Sequence, residues 1–289
     1  MKNTTLMLLM LSLLSIIPVL LSVPYKWFLT VFFSSVLYGA LSPLISARRI
    51  YFLAAEAPHT SLLSITAGII LSNTFPILDE FYWAILLSTF LLYLIGFAIR
   101  LGFDPDIVTS AAIALTASAS VIAVAYVLSK YSIKYNLWSV ILGDPLLTTA
   151  EDLYILACIS LIVLCITLYI FRINVYIGVD TDYMKLHGVR LNLYDAILFA
   201  IIGVASVALL KIVGFVLEHV LLLLPSIIAM NFVEGSNQVF ATSILLAVIM
   251  SMVGLIVSIH LNIAPAGSIG LTAFLFYATT YCVTVKKGG

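Results

Sequence analysis

A chain of 289 residues that is 63% hydrophobic and only 9% charged is composed for the interior of a lipid bilayer; soluble domains carry roughly 25% charged residues. Its formal net charge is zero, so no strongly cationic surface exists to hold a phosphate backbone, and nucleic acid is excluded as a partner. Three cysteines, Cys158, Cys165 and Cys282, lie in apolar runs without CxxC spacing, which predicts buried small hydrophobes rather than metal ligands or disulfides.

A bilayer core of about 30 Å takes about 20 apolar helical residues, and stretches of that kind recur along the whole chain. Ten are expected, at 5–22, 27–46, 52–72, 82–99, 108–128, 152–171, 193–212, 214–230, 239–259 and 267–285. The seventh and eighth are parted only near Val213 and Gly214, so eight or nine is also open. The expected fold is all-α, a polytopic membrane helical bundle forming a single domain over residues 1–289. The first span has signal-peptide features in Lys2 and Ser22, but its long apolar run and the missing Ala-x-Ala spacing predict a retained helix.

Short cytosolic loops are enriched in Lys and Arg, which sets the expected orientation. With a cytosolic N-terminus the inside holds Lys2, Arg48, Arg49, Arg100, Arg172, Lys185, Arg190, Lys286 and Lys287, and the outside holds Lys26, Lys130, Lys134 and Lys211. Every arginine then lies inside, and both termini are cytosolic in a multi-pass protein of the cell membrane.

The third span carries Glu56 and His59 three residues apart on one helical face, an expensive placement that marks a functional-site candidate. Pro58 removes a backbone donor and frees the carbonyl of Ala54 as a possible oxygen ligand. A Glu56–His59 pair satisfying itself near the interface is the plainer alternative. The fifth span repeats small residues along two faces, Ser110, Ala114 and Ser118 on one and Ala112, Thr116 and Ser120 on the other. Such faces allow close helix packing, the preferred reading, or line a narrow path with hydroxyls.

An external segment at about 130–151 includes Lys130, Lys134 and Asp144, and Thr148 or Thr149 is placed to cap a helix whose first turn holds Glu151 and Asp152. An interfacial helix and a docking surface fit it equally. Between the sixth and seventh spans lies RINVYIGVDTDYMKLHGVRLN, residues 172–192, a long polar interruption. Tyr183 to His187 fits a turn and a half of helix, started by Asp180 or Thr181 and stopped by Gly188. The result is a mixed-charge knob suited to a cytosolic partner.

The eighth span carries adjacent Glu218 and His219, whose directions differ by about 100°, so both cannot face one narrow lumen. One of them is then left to pair with Lys211. After His260 comes LNIAPAGSIGL, where Pro265 and Gly267 mark a tight re-entry into the last helix.

The order of these motifs resembles the permeases of the zinc, manganese and iron ABC importer family. RRIYFLAAEAPH is similar to that family's arginine pair followed by Asp-x-x-x-His, and LGDPLLTTAEDLY to its Gly-(Asn/Asp)-Leu-Leu segment ending in Asp-Leu. GVDTDYMKLHGVRLNLYD resembles its acidic stretch, small helix and Gly-Val, ALLKIVGFVLEHVLLLLPSIIA its Val-Val-Gly, apolar run and Pro-Ala-Ala, and LNIAPAGSIGL its Leu-Asp-Leu-Pro-Ser-Gly. Ala55 stands where the family has aspartate, with Glu56 one position later, Asn262 replaces a second aspartate, and Glu218 and His219 occupy positions normally apolar or small.

The resemblance implies a homodimer with a pathway on its twofold axis and no permanently bound cofactor. It implies a cytosolic ATP-binding subunit pressing on Asp180, Asp182, Tyr183, Lys185, His187, Gly188 and Arg190. It also implies an extracellular metal-binding protein docking near Lys130, Lys134, Asp144, Glu151 and Asp152. No GxxxxGK[ST] occurs, so energy must come from a partner and the chain is a transport subunit rather than an enzyme. Glu56, His59, Glu218 and His219 are the expected metal-pathway residues. Counting helical rise from each boundary puts His59 and Glu218 about 14 Å apart in depth, which predicts two stations rather than one cage unless the eighth segment enters as a broken helix. Rival readings keep the fold for a metal chelate, or make the chain a proton-coupled carrier or an intramembrane metallohydrolase; the last lacks an HExxH arrangement.

Overall fold

The computed structural model describes residues 23–131 and 148–288, with Leu14 to Ile16, Val19 and Leu146. Lys2, Lys134, Asp144 and most of the first expected span lie outside these residues, as do the side chains of Lys211, Lys286 and Lys287. The helices are α1 (Tyr25–Arg48), α2 (Tyr51–Thr74), α3 (Glu80–Arg100), α4 (Pro105–Lys130) and α5 (Ala150–Val179), then the short α6 (Thr181–Leu186), and α7 (Leu191–Val213), α8 (Phe215–Ala229), α9 (Ser236–Leu261) and α10 (Pro265–Gly288). In hydrocarbon a backbone must satisfy its own hydrogen bonds, and helices do this within each segment.

Among the described residues six helices are long and apolar enough to cross a membrane, namely α1, α3, α4, α5, α7 and α9. The first expected span lies largely outside the described residues, and each of the other nine corresponds to one of the helices, six of which meet the length and hydropathy of a full crossing. At 15 residues α8 is about 22 Å long and too short to cross alone, while α2 and α10 have the length but are diluted by polar, proline and glycine residues.

Local chemistry sets the helix ends. Asp104 accepts from the amides of Asp106 and Ile107 at 2.9 and 3.1 Å ahead of Pro105, and Thr149 forms a reciprocal capping box with Asp152. Arg49 and Asn262 take left-handed conformations where α1 turns into α2 and where α9 ends before Pro265. In α1, 78% of the most apolar window is buried, against 17% in α4, so α1 is the central helix and α4 a flank. The centre of α1, from Leu37 to Ile45, packs against α5, α7, α8 and α9, while α2 is held by α3, α4, α7 and α8. Along α3, Tyr82, Leu86, Phe90 and Leu94 form an exposed stripe suited to lipid. The three cysteines are exposed, contrary to the buried role expected of them: apolar neighbours on a membrane helix do not imply an inward direction.

One end of the bundle gathers the close of α1, α3 and α5 and the start of α7. There Gly178 approaches α1 so closely that a β-carbon would sit 1.9 Å from the carbonyl oxygen of Ala47. Backbone cannot yield as a flexible side chain would. Gly178→Ala is therefore expected to destabilise the bundle by about 1 to 3 kcal/mol, read as a lowered thermal midpoint in detergent; an unchanged midpoint would show that α5 and α1 separate freely at this end.

Candidate functional site

The four pathway candidates come from α2 and α8, and the structure divides them by type. Glu56 and Glu218 are fully buried, whereas His59 and His219 are half-buried and border open space. The imidazoles meet across the two helices with ring centroids 5.5 Å apart, and Phe215 lies against both at 4.8 and 4.5 Å. His219 Nδ1 lies 2.9 Å from the Phe215 carbonyl, which can only accept, so Nδ1 carries the proton and the neutral ring keeps its lone pair on Nε2.

This contact overturns the expected separation of two stations. Phe215 lies against the His59 ring of α2 at 4.8 Å, yet α2 continues fifteen residues further to Thr74, about 22 Å by helical rise. The first turn of α8 thus lies well below the far end of α2. The expectation had started α8 at the membrane boundary.

Glu56 does not pair with His59 despite sharing its helix. One carboxylate oxygen accepts from Thr60 and, at 3.2 Å, from Thr116 of α4; the other is buried with no hydrogen-bond partner. Thr116 belongs to the small face of α4 that packs on α2, together with Ser120, while Ser110, Ala114 and Ser118 on the other small face are exposed. The packing reading therefore holds for the Thr116 face, and the other small face is left open.

Glu218 points away from His219, as the 100° rule required, and faces the hydroxyls of Tyr38 on α1 and Ser206 on α7 without closing a well-aligned hydrogen bond. It is separated from the imidazole pair. The ring of His219 lies against the backbone of Ala55, so the carbonyl neighbour is one residue from the expected Ala54. Among the described residues no three His, Cys, Asp or Glu side chains converge as a metal cage.

The remaining candidates lie at the two ends. The α6 segment is an exposed, self-braced knob: Asp180 accepts from the Tyr183 amide at 2.9 Å, Lys185 pairs with Asp182 at 3.0 Å, the Tyr183 and His187 rings lie 4.0 Å apart, and Gly188 adopts φ +76°. Arg190 and Lys185 border a cavity of about 490 Å³ that continues along Leu191 to Leu193. At the opposite end Lys130 donates to the Tyr126 hydroxyl at 2.8 Å, Glu151 is exposed, and Asp152 is engaged by the cap of α5. Sequence reasoning missed Tyr38, Ser206 and Asp195, and placed Thr116 on a small face without its bond to Glu56. Asp195 left a signal, an acid one turn inside an apolar helix.

Residues 21–284 match the ABC 3 transport family. The chain belongs to that family. The high-affinity zinc uptake system membrane protein ZnuB of Buchnera aphidicola is 26% identical over 239 residues, covering 83% of this chain and 89% of its own. The manganese import system permease protein ScaB of Streptococcus gordonii is 22% identical over 252 residues, covering 87% and 88%. In fold the chain is similar to PsaBC from Streptococcus pneumoniae, solved in complex with Fab, with a TM-score of 0.78 and 20% identity over 93% of this chain and 95% of that one.

The depth of α8 is open to direct test. In a chain freed of Cys158, Cys165 and Cys282, the pair His59→Cys and His219→Cys is expected to be bridged by one Hg²⁺ ion, seen in the intact mass and as protection from maleimide. Thiols about 14 Å apart, as sequence depth alone gives, would stay unbridged.

Proposed function

We propose that this chain is the permease subunit of an ATP-driven importer for divalent metal ions such as zinc or manganese, working as a dimer with cytosolic ATP-binding subunits and an external metal-binding protein. The observation that carries this reading is the facing of His59 and His219 within a fold of the ABC 3 transport family. The names of its zinc-uptake and manganese-import relatives support the cargo.

Zinc–imidazole bonds of about 2.0 to 2.1 Å place two rings on one tetrahedral ion with centroids roughly 5 Å apart. The observed 5.5 Å is close to that. Two nitrogens alone leave an ion partly coordinated by water, weak enough to pass onward. The unpartnered oxygen of Glu56 lies on the same stretch of α2, and a buried carboxyl oxygen left unsatisfied is costly enough to expect a functional reason.

Ser110, Ala114 and Ser118 place hydroxyls and small side chains on the open face of α4, the face on which a second copy would close a polar path. The α6 knob, carrying exposed Tyr183, Lys185, Leu186 and His187, is the surface for the ATP-binding subunit. Pressure there tilts α4 and α8 and changes which side of the path is open. Glu218 supports the bundle between α1, α7 and α8 rather than touching the ion.

Removing the donors tests the reading. In proteoliposomes holding the assembled complex, Glu56→Gln combined with His59→Ala is expected to lower Mn²⁺ or Zn²⁺ uptake at least about tenfold with assembly intact. Unchanged uptake by that double variant would remove both residues from the path.

A further inference from the structure

At the arginine-bearing end one carboxylate joins three helices directly and a fourth through Arg48. Asp195, one turn into α7 and 4% exposed, is paired with Arg48, the last residue of α1, and with Arg100, the last residue of α3, whose Nη1 lies 3.5 Å away. Arg48 also donates to Asn174 of α5 at 3.1 Å, and Arg100 donates to Asn192 of α7 at 2.7 Å while covering the Tyr93 ring at 5.3 Å. Asn174 precedes α6 by seven residues and Asn192 and Asp195 follow it by six and nine. Both helices that carry the α6 knob are thus held by Arg48, and α7 by Arg100 as well.

The line continues to the imidazole pair. Arg48 is followed by left-handed Arg49, and α2 begins at Tyr51, eight residues before His59. Any displacement of Arg48 moves the start of the helix that presents His59 and Glu56. The clamp is also incomplete. Nε and Nη2 of Arg100 are buried without partners, and its contact to Asp195 is the longer of the two. A purely structural buried network is expected to be fully satisfied. Two cations sharing one carboxylate, one tightly and one loosely, allow Asp195 to shift its pairing from Arg48 towards Arg100 without leaving the carboxylate unpaired.

We propose that Asp195 is the positioning residue that transmits movement of the α6 segment to α1 and α2, by exchanging its pairing between Arg48 and Arg100. The proposal rests on the importer reading given above. It adds a residue outside the Asp180–Arg190 knob and outside the imidazole pair.

The test uses the full chain assembled with its ATP-binding subunit in proteoliposomes, measuring ATP hydrolysis and uptake of Mn²⁺ or Zn²⁺ together. Asp195→Asn is expected to preserve hydrolysis while uptake per ATP falls about tenfold, and adding Arg48→Gln is expected to cost nothing further, since both break one coupling. Arg100→Lys keeps the charge but not the forked donors, so it assembles even where Asp195→Asn does not, and its uptake per ATP is expected to fall about threefold. A merely structural residue would lower hydrolysis and uptake together through loss of complex. Unchanged uptake per ATP in an assembled variant would overturn the clamp and leave the importer reading standing. A native chain that binds no ATP-binding subunit, or an assembled native complex that moves neither ion, would overturn the importer reading and the clamp with it.

Discussion

The depth at which α8 begins decides what this bundle can do. Phe215 packs against His59, so the first turn of α8 sits in the interior and brings His219 to His59. Had α8 started level with the end of α2, the imidazoles would be apart and His219 would have a bundle surface to explain rather than a partner. Serine contacts fix the far half of α8 on α1: Ser226 accepts from Ser42 at 2.8 Å and bonds Ser46, beside the break at Pro225. Proline removes one backbone donor, and hydroxyls from the neighbouring helix meet the polar groups around it.

Burial then sorts the ionisable groups by role. Carboxylates are turned into packed helix interfaces, Glu56 towards Thr60 and Thr116 and Glu218 towards Tyr38 and Ser206. Imidazoles remain at the edge of open space, where neutral nitrogen is less costly to desolvate than a carboxylate. At the arginine-bearing end, Asp195 is tolerated in a buried position because two guanidinium groups surround it.

Features governed by neighbouring residues were legible in the sequence. The α6 helix with its Asp180 start and Gly188 stop, the Thr149 cap and the Pro265 re-entry all follow from chemistry within a few positions. Divergence of Glu218 from His219 followed from helix geometry alone. Depth did not, because counting residues from a membrane boundary assumes that each apolar run starts there, and α8 does not. The direction of a side chain across the bundle was equally hidden: Glu56 and His59 share a face by spacing, yet contacts with α4 and α8 draw them apart. Cysteine exposure failed for the same reason, since outward-facing and protein-facing positions on α5, which carries Cys158 and Cys165, and on α10, which carries Cys282, are both apolar. The family resemblance supplied the order of elements, and the comparisons place the chain in the ABC 3 transport family over residues 21–284.

X-ray absorption at the metal edge, on the assembled complex loaded with Zn²⁺, tests the central claim most directly. The account predicts imidazole scattering with Zn–N distances of about 2.0 to 2.1 Å, reduced when either His59 or His219 is replaced by alanine. A shell of oxygen donors alone, or an imidazole signal indifferent to both replacements, would contradict it.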